Sequence, residues 1–235
     1  MPDGTPPIAG ADPDAENRTG LQAADASLTE RAYRQLEEML VTLELMPGTV
    51  LSEQLLSQRL RIGRTPIREA LQRLARVGLV VILPRRGVLV SDINVRTQLR
   101  LLELRREIER LMARVAAERA TPFEAASFAE IADGMRQAAE DADDIAFMRL
   151  DHALNALVSQ AARNEFATRS MGLMHGLSRR FWYHHYREAA DLPLAATLHA
   201  NLADAIARRD GAAAADASDA LIDYIESFAR KTIDS

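Results

Sequence analysis

Residues 64–71 read Arg-Thr-Pro-Ile-Arg-Glu-Ala-Leu, and residues 79–90 read Leu-Val-Val-Ile-Leu-Pro-Arg-Arg-Gly-Val-Leu-Val. The first stretch opens a helix. Thr65 suits the N-cap, and Pro66 suits the next position, where its missing N–H costs nothing. Ile67, Ala70, Leu71 and Leu74 follow at helical spacing, and Gly78 suits the C′ position. In the second stretch two β-branched runs flank Pro84-Arg85-Arg86-Gly87. That pattern predicts a hairpin with a basic tip.

Upstream, Ser52 can cap a short helix carrying Leu55, Leu56 and Leu60, closed by Gly63. Before it, Ser27-Leu28-Thr29-Glu30 fits a capping box, and Tyr33, Leu36, Leu40 and Leu43 recur at three- to four-residue spacing until Pro47-Gly48. The order is therefore helix, helix, short turn, helix, hairpin, which is a winged helix-turn-helix over residues 27–92. Residues 1–26 are rich in Pro, Gly, Asp and Ala with few bulky apolar side chains, so a disordered tail is expected there.

Beyond Asn94 only helical periodicity remains. Thr121-Pro122-Phe123-Glu124 is a second capping signature, and Asp141–Asp144, Asn164, Asp191-Leu192-Pro193 and Asp210-Gly211 mark breaks. This predicts about six helices, at 95–119, 122–140, 144–162, 165–188, 193–209 and 212–233. The fold class is mainly α: a winged helix-turn-helix of three helices and a β-hairpin, then an all-helical bundle over residues 95–233.

Composition bounds the function. Of 235 residues, 48% are hydrophobic, 27% charged and 5% aromatic, a balance that favours helix over strand in a globular chain. There is no cysteine, which excludes disulfides, thiolate zinc sites and a cysteine nucleophile. The acidic N-terminus lacks the apolar core of a secretory signal, and no apolar run is long enough to span a bilayer. A cytoplasmic protein with no membrane partner is expected. The net charge of −5 looks unsuited to DNA, but it is unevenly spread. Residues 28–92 hold 10 arginines against 7 acids, a net of +3, which leaves −8 for the rest. Phosphate contact needs local positive potential rather than a basic whole.

In a helix-turn-helix the second helix of the motif enters the major groove and its N-terminal residues reach base edges. Here these are Arg64, Thr65, Ile67 and Arg68. Arginine matches guanine O6/N7 through its fork, and threonine can meet a phosphate or a thymine methyl. Arg73 and Arg76 suit solvent or backbone. At the hairpin tip Arg85 and Arg86 stand beside Gly87, whose bare backbone permits close approach to a minor groove or phosphate.

Pro47-Gly48, Leu51-Ser52-Glu53, Arg64 through Leu71, Leu74, Gly78-Leu79-Val80 and Arg85-Arg86-Gly87 together resemble the signature of the GntR family of bacterial regulators. The family usually has serine immediately before the first arginine; here Gly63 stands there, with loss of one hydroxyl. The resemblance implies operator contacts from Arg64, Thr65 and Arg68, and a wing acting through Arg86 and Gly87. The remainder is similar to the FCD subfamily of those regulators, on Leu104-Arg105, Ile108-Glu109, Asp151 through Asn164 and His199 through Asp210.

Many FCD domains hold a divalent metal through one Asp and three His. Carried over by resemblance, the positions here are Asp151, Asn155, His199 and Leu221. Asn155 and Leu221 replace two histidines, which leaves a weak zinc or nickel site at Asp151, Asn155 and His199. His152 projects about 100° from Asp151 on an ideal helix; His184 and His185 are the other substitutes. An organic effector, a carboxylate above all, is the leading expectation, bound by Arg105 with Asp151, Asn155, His199 and Arg180. Arg105 could equally pair with Glu109 at i+4. Trp182 and Tyr183 could line the cavity or serve as core.

These residues imply a homodimeric, effector-controlled repressor on a short inverted repeat of double-stranded DNA. Two other classes compete. An enzyme could use Asp151 and His199 as an acid–base pair, but no nucleophile motif, phosphate-cradling loop or HExxH sequence accompanies them. A helical interaction module would use the winged helix only as a dimerisation scaffold.

Overall fold

The computed structural model describes residues 13–232, with side chains over 27–186 and 190–232. The described residues form two compact units. One takes the chain up to Leu40 together with Glu44–Ser91; the other takes Val41–Leu43 and the chain from Asp92 onward.

The first unit is built from α1 (Pro13–Val41), β1 (Val50–Leu51), α2 (Glu53–Leu60), α3 (Arg64–Arg76), β2 (Val80–Leu83) and β3 (Gly87–Val90). Its core is Leu36 and Leu40 of α1, Ile67, Leu71 and Leu74 of α3, and Leu79, all at most 2% exposed. Several local expectations are corrected. α1 begins at Pro13 rather than Ser27, so Ser27 is an interior residue and no capping box forms there. Of the tail expected over 1–26, residues 13–26 are helical, and 1–12 lie outside the described residues. Ala, Glu, Gln and Leu in that stretch extend a helix cheaply once a nucleus exists. The helix also stops at Val41, before Pro47, and Leu43 takes a left-handed φ of 62°.

Ser52 caps α2 as expected, its side chain accepting from the Leu55 N–H. The C-cap is Arg61 in left-handed backbone rather than Gly63. Gly63 is instead the N-cap of α3, so the helix starts ahead of Thr65, and Pro66 still falls in the first turn, where N–H groups have no helical partner. The far end of α3 is a Schellman closure. Leu79 N–H donates to Leu74 C=O at 3.0 Å and Gly78 N–H to Ala75 C=O at 3.1 Å, with Gly78 at φ 79°.

The hairpin pairs Val80 with Val90 and Leu83 with Gly87. β1 was not expected; it pairs antiparallel to β3 and makes the sheet three-stranded in the order β1-β3-β2. At the tip Arg86 N–H donates to Leu83 C=O at 3.1 Å, and Arg85 takes φ 61°. With Pro84 second and a left-handed third residue, the turn has the form of type II.

The second unit is all helical: α4 (Val95–Arg119), α5 (Pro122–Asp141), α6 (Asp144–Ala162), α7 (Glu165–Gly172), α8 (His175–Ala189), α9 (Leu192–Ala207) and α10 (Gly211–Lys231). The helix expected over 165–188 is two, because Gly172 ends α7 and Met174 N–H turns back to Met171 C=O at 2.8 Å. Asn94, Thr121, Asp143, Asn164, Asp191 and Asp210 each cap a following helix through a side-chain oxygen. Thr121 and Glu124 complete a capping box, and Glu124 also takes Arg163 at 2.8 Å while only 5% of its side chain is exposed. α5 lies along α9, and α4 along α10. Alanines are prominent among the buried residues of both helices, Ala132 and Ala138 on α5 and Ala195, Ala196, Ala200 and Ala203 on α9, beside the larger Phe128, Met135, Leu202 and Ile206. Methyl side chains allow close helix approach. Among the described residues no helix is long and apolar enough to cross a membrane.

Candidate DNA-reading face and candidate effector site

In the first unit α3 divides its residues sharply. Pro66, Ile67, Ala70, Leu71 and Leu74 are buried; Arg64, Thr65, Arg68 and Gln72 are exposed. Arg64, Arg68 and Gln72 recur at i, i+4 and i+8 along one helical face, with Thr65 beside Arg64. Ile67 was expected among the contact residues and is corrected: at 0% exposure it belongs to the core and cannot reach a base. Arg61, in the left-handed turn between the two helices, is exposed beside this face and was missed by sequence reasoning. Its signal was its place between the two helices of the motif. Gln72 was missed too, although it lies two turns beyond Arg64.

Arg68 is held by Glu53 of α2. Its Nε donates to Oε1 at 3.0 Å and Oε2 at 3.2 Å, and Nη2 donates to Oε2 at 2.8 Å. Arg64 Nη2 stands 3.8 Å from the same carboxylate. The hydrogen bond from Arg68 holds the Glu53 carboxyl below its ordinary value. Arg73 takes no part in this face. It pairs with Glu30 of α1 at 2.8 Å, and its guanidinium lies 4.2 Å from the Tyr33 ring centroid. Thr29 adds a hydrogen bond to Glu69 at 2.8 Å, so α1 fixes the back of α3. At the wing Arg85 and Arg86 are exposed. Gly87, expected to permit approach to DNA, has a nearer duty: at φ 102° a Cβ there would lie 3.1 Å from the Leu51 carbonyl oxygen.

In the second unit polar residues from four helices converge. α4 contributes Gln98, Arg105 and Glu109, α6 Asp151 and Asn155, α8 His175 and Ser178, and α9 His199. Arg105 Nε donates to Glu109, and its Nη1 donates to Ser178 Oγ at 2.9 Å. Gln98 Nε2 reaches the same hydroxyl at 3.4 Å. Of the two roles open to Arg105, the i+4 ion pair is formed. His199 Nε2 lies 3.2 Å from Asp151 Oδ1, and Asn155 Nδ2 donates to Asp151 Oδ1 at 2.9 Å. His199 Nδ1 lies 2.7 Å from the Ala195 carbonyl.

Both imidazole nitrogens thus face acceptors, which requires a proton on each. Burial is the largest single influence and opposes that charge, but the hydrogen bond and negative charge of Asp151, with the Ala195 carbonyl and Glu109, together raise His199 above its ordinary value. Burial likewise opposes ionisation of Asp151 most strongly, and His199, with the nearby positive charge of His175 and Arg105, lowers this carboxyl overall. His175 is lowered by burial and by the neighbouring Arg105 charge. Phe147 sets its ring edge-on to His199, centroids 5.2 Å apart.

The residues present do not fit a tightly held metal. Asn155 turns its amide N–H toward Asp151, and Leu221 is packed in the apolar core. Among the described residues no three His, Cys, Asp or Glu side chains are grouped to hold an ion. His152 and His184 are exposed, and His185 stacks on Phe181 with centroids 4.7 Å apart. Arg180 is 2% exposed and its Nη2 donates to the Asp92 carbonyl at 3.3 Å, so part of its guanidinium is committed to the chain. Trp182 packs on Phe228 at 4.7 Å between centroids, and core is the role it takes. Ser178, Gln98 and His175 were missed by sequence reasoning, and nothing local distinguished them.

The sequence model of the bacterial regulatory proteins of the gntR family matches residues 28–90, and that of the FCD domain matches 100–224. The HTH-type transcriptional repressor RspR of Escherichia coli K12 is 28% identical, over 78% of this chain and 81% of its own. An uncharacterised HTH-type regulator in an unstable DNA locus of Streptomyces ambofaciens is 31% identical, over 70% of this chain and 77% of its own. Among solved structures, Escherichia coli McbR/YncC superimposes with a TM-score of 0.73 at 21% identity, covering 88% of this chain and 98% of that one. A regulator from Rhodococcus sp. RHA1 gives 0.61 at 22%, covering 89% and 99%.

Proposed function

The chain belongs to the GntR family of bacterial regulatory proteins and carries an FCD domain, and on that premise we propose that it is a cytoplasmic repressor released from its operator by a small carboxylate. It is a DNA-binding transcription regulator and not an enzyme. The observation that carries the DNA-reading half is the exposed line Arg64, Thr65 and Arg68 at the start of α3, on a compact unit that also bears Arg85 and Arg86 at the wing tip. A homodimer on an inverted repeat matches the two-fold symmetry of a duplex site. Repression is favoured because the Escherichia coli relative is named a repressor.

Arg105 supports the choice of a carboxylate. Its fork is already engaged by Glu109 and Ser178 in a shielded setting, so a ligand carboxylate can take the place of the glutamate. Asp151, Asn155 and His199 hold one another through protons and supply the polar wall, without a metal. The ligand acts only by binding two arrangements of the dimer unequally.

The test is a titration against the DNA upstream of the protein's own gene at several salt concentrations, with small carboxylic acids added singly. The expected result is steeply salt-dependent binding weakened by one acid. Salt-insensitive behaviour with no DNA affinity would instead favour an interaction module.

A further inference from the structure

Glu53 is an acid in direct contact with the reading face, a paradoxical position for a surface that approaches phosphates. It lies in the first turn of α2, directly after the N-cap Ser52, where a negative charge is favoured by the helix dipole. Its side chain is 26% exposed against 54% for Arg68 and 62% for Arg64. Exposed ion pairs contribute about 0–1 kcal/mol, too little to make this one a device for stability.

Its geometry suggests another use. The carboxylate takes Nε and one proton of Nη2 of Arg68, the side edge of the guanidinium. Nη1 and the outer proton of Nη2 stay available at the end edge, which can meet guanine O6 and N7. The pair also cancels one positive charge at a face that would otherwise attract any phosphate.

We propose that Glu53 is a positioning and specificity-determining residue, which holds Arg68 for end-on base reading and suppresses indiscriminate phosphate binding. This rests on the DNA-reading function above. It makes discrimination, rather than affinity, the property that Glu53 controls. Ordering the guanidinium before contact removes part of its rotamer entropy from the cost of binding.

The experiment uses the full chain, a duplex pool with a randomised centre selected by the wild type, and the unselected pool. Affinities are measured across salt for the wild type, E53Q, R68A and E53Q/R68A. For E53Q, affinity for the unselected pool should rise and its log–log salt slope steepen by about one unit, while the ratio of selected to unselected affinity falls about tenfold. On the R68A background E53Q should leave that ratio unchanged. If E53Q lowers both affinities together, or leaves the ratio unaltered, the positioning role is overturned. A wild type that does not enrich the pool would overturn the DNA-reading function itself, a different result from either.

Discussion

A Cβ placed on Gly87 would stand 3.1 Å from the carbonyl oxygen of Leu51 and 3.3 Å from Val50 Cγ1. The glycine at the root of the wing therefore serves the β1–β3 pairing, in a backbone that side chains rarely adopt. G87A should destabilise the first unit by about 1–3 kcal/mol, since strained left-handed backbone and a close contact add. Denaturant unfolding will measure it. A melt equal to wild type would mean that β1 is not held as described.

Recognition and wing should separate by substitution. R68A is expected to lose about 1–3 kcal/mol of discrimination among bases. R85A/R86A is expected to weaken all sequences alike and flatten the salt slope by up to about two units. Fluorescence anisotropy on selected and unselected duplexes distinguishes the two patterns, and interchange of the patterns would reverse the assignment of base and phosphate contacts.

The effector reading predicts that R105A retains operator affinity and helical content but no longer releases DNA when the active carboxylic acid is added. R105K should respond poorly, because an ammonium cannot form the two parallel hydrogen bonds of a guanidinium. Release of R105A at wild-type ligand concentrations would remove Arg105 from the site.

Acid stability should report on Glu124. The Thr121 backbone N–H and then Arg163 push its carboxyl down to about 2, against the opposing effect of burial. A folded value below the unfolded one gives stability that is present above roughly pH 4.5 and lost as pH falls toward 2. E124Q should therefore cost on the order of 1–2 kcal/mol at neutral pH, with the gap to wild type narrowing below pH 4. Parallel curves would show that the charge of Glu124 contributes nothing.

The helix starts in the second unit were legible because a cap is local chemistry. Thr121, Asn164, Asp191 and Asp210 announce themselves within three residues. β1 was not legible, because Val50-Leu51 is a strand only by virtue of Leu89 and Val88 across the sheet. The Arg105–Glu109 pair could be read from its i+4 spacing. Ser178 could not, since it meets Arg105 from 73 residues away. Ile67 was misread for a related reason: its place beside Arg68 suggested contact, while burial depends on which side of α3 faces α1 and the sheet.

The absence of strong ligands at positions 155 and 221 leads to a metal prediction. Protein purified without added metal should carry zinc or nickel far below one equivalent, and a chelator should leave its melting temperature unchanged. Stoichiometric metal would restore the ion to the pocket.

The buried alanines of α5 and α9 reverse the usual hazard of core mutation. In a core of leucines, truncation opens a large void; here Ala132, Ala138, Ala196 and Ala200 are buried with a single methyl each to lose, and enlargement is the change that strains close packing. An added methylene must find room by shifting a neighbour, whereas truncation to glycine costs only the helix preference of alanine, so drift toward bulk is the more heavily penalised of the two.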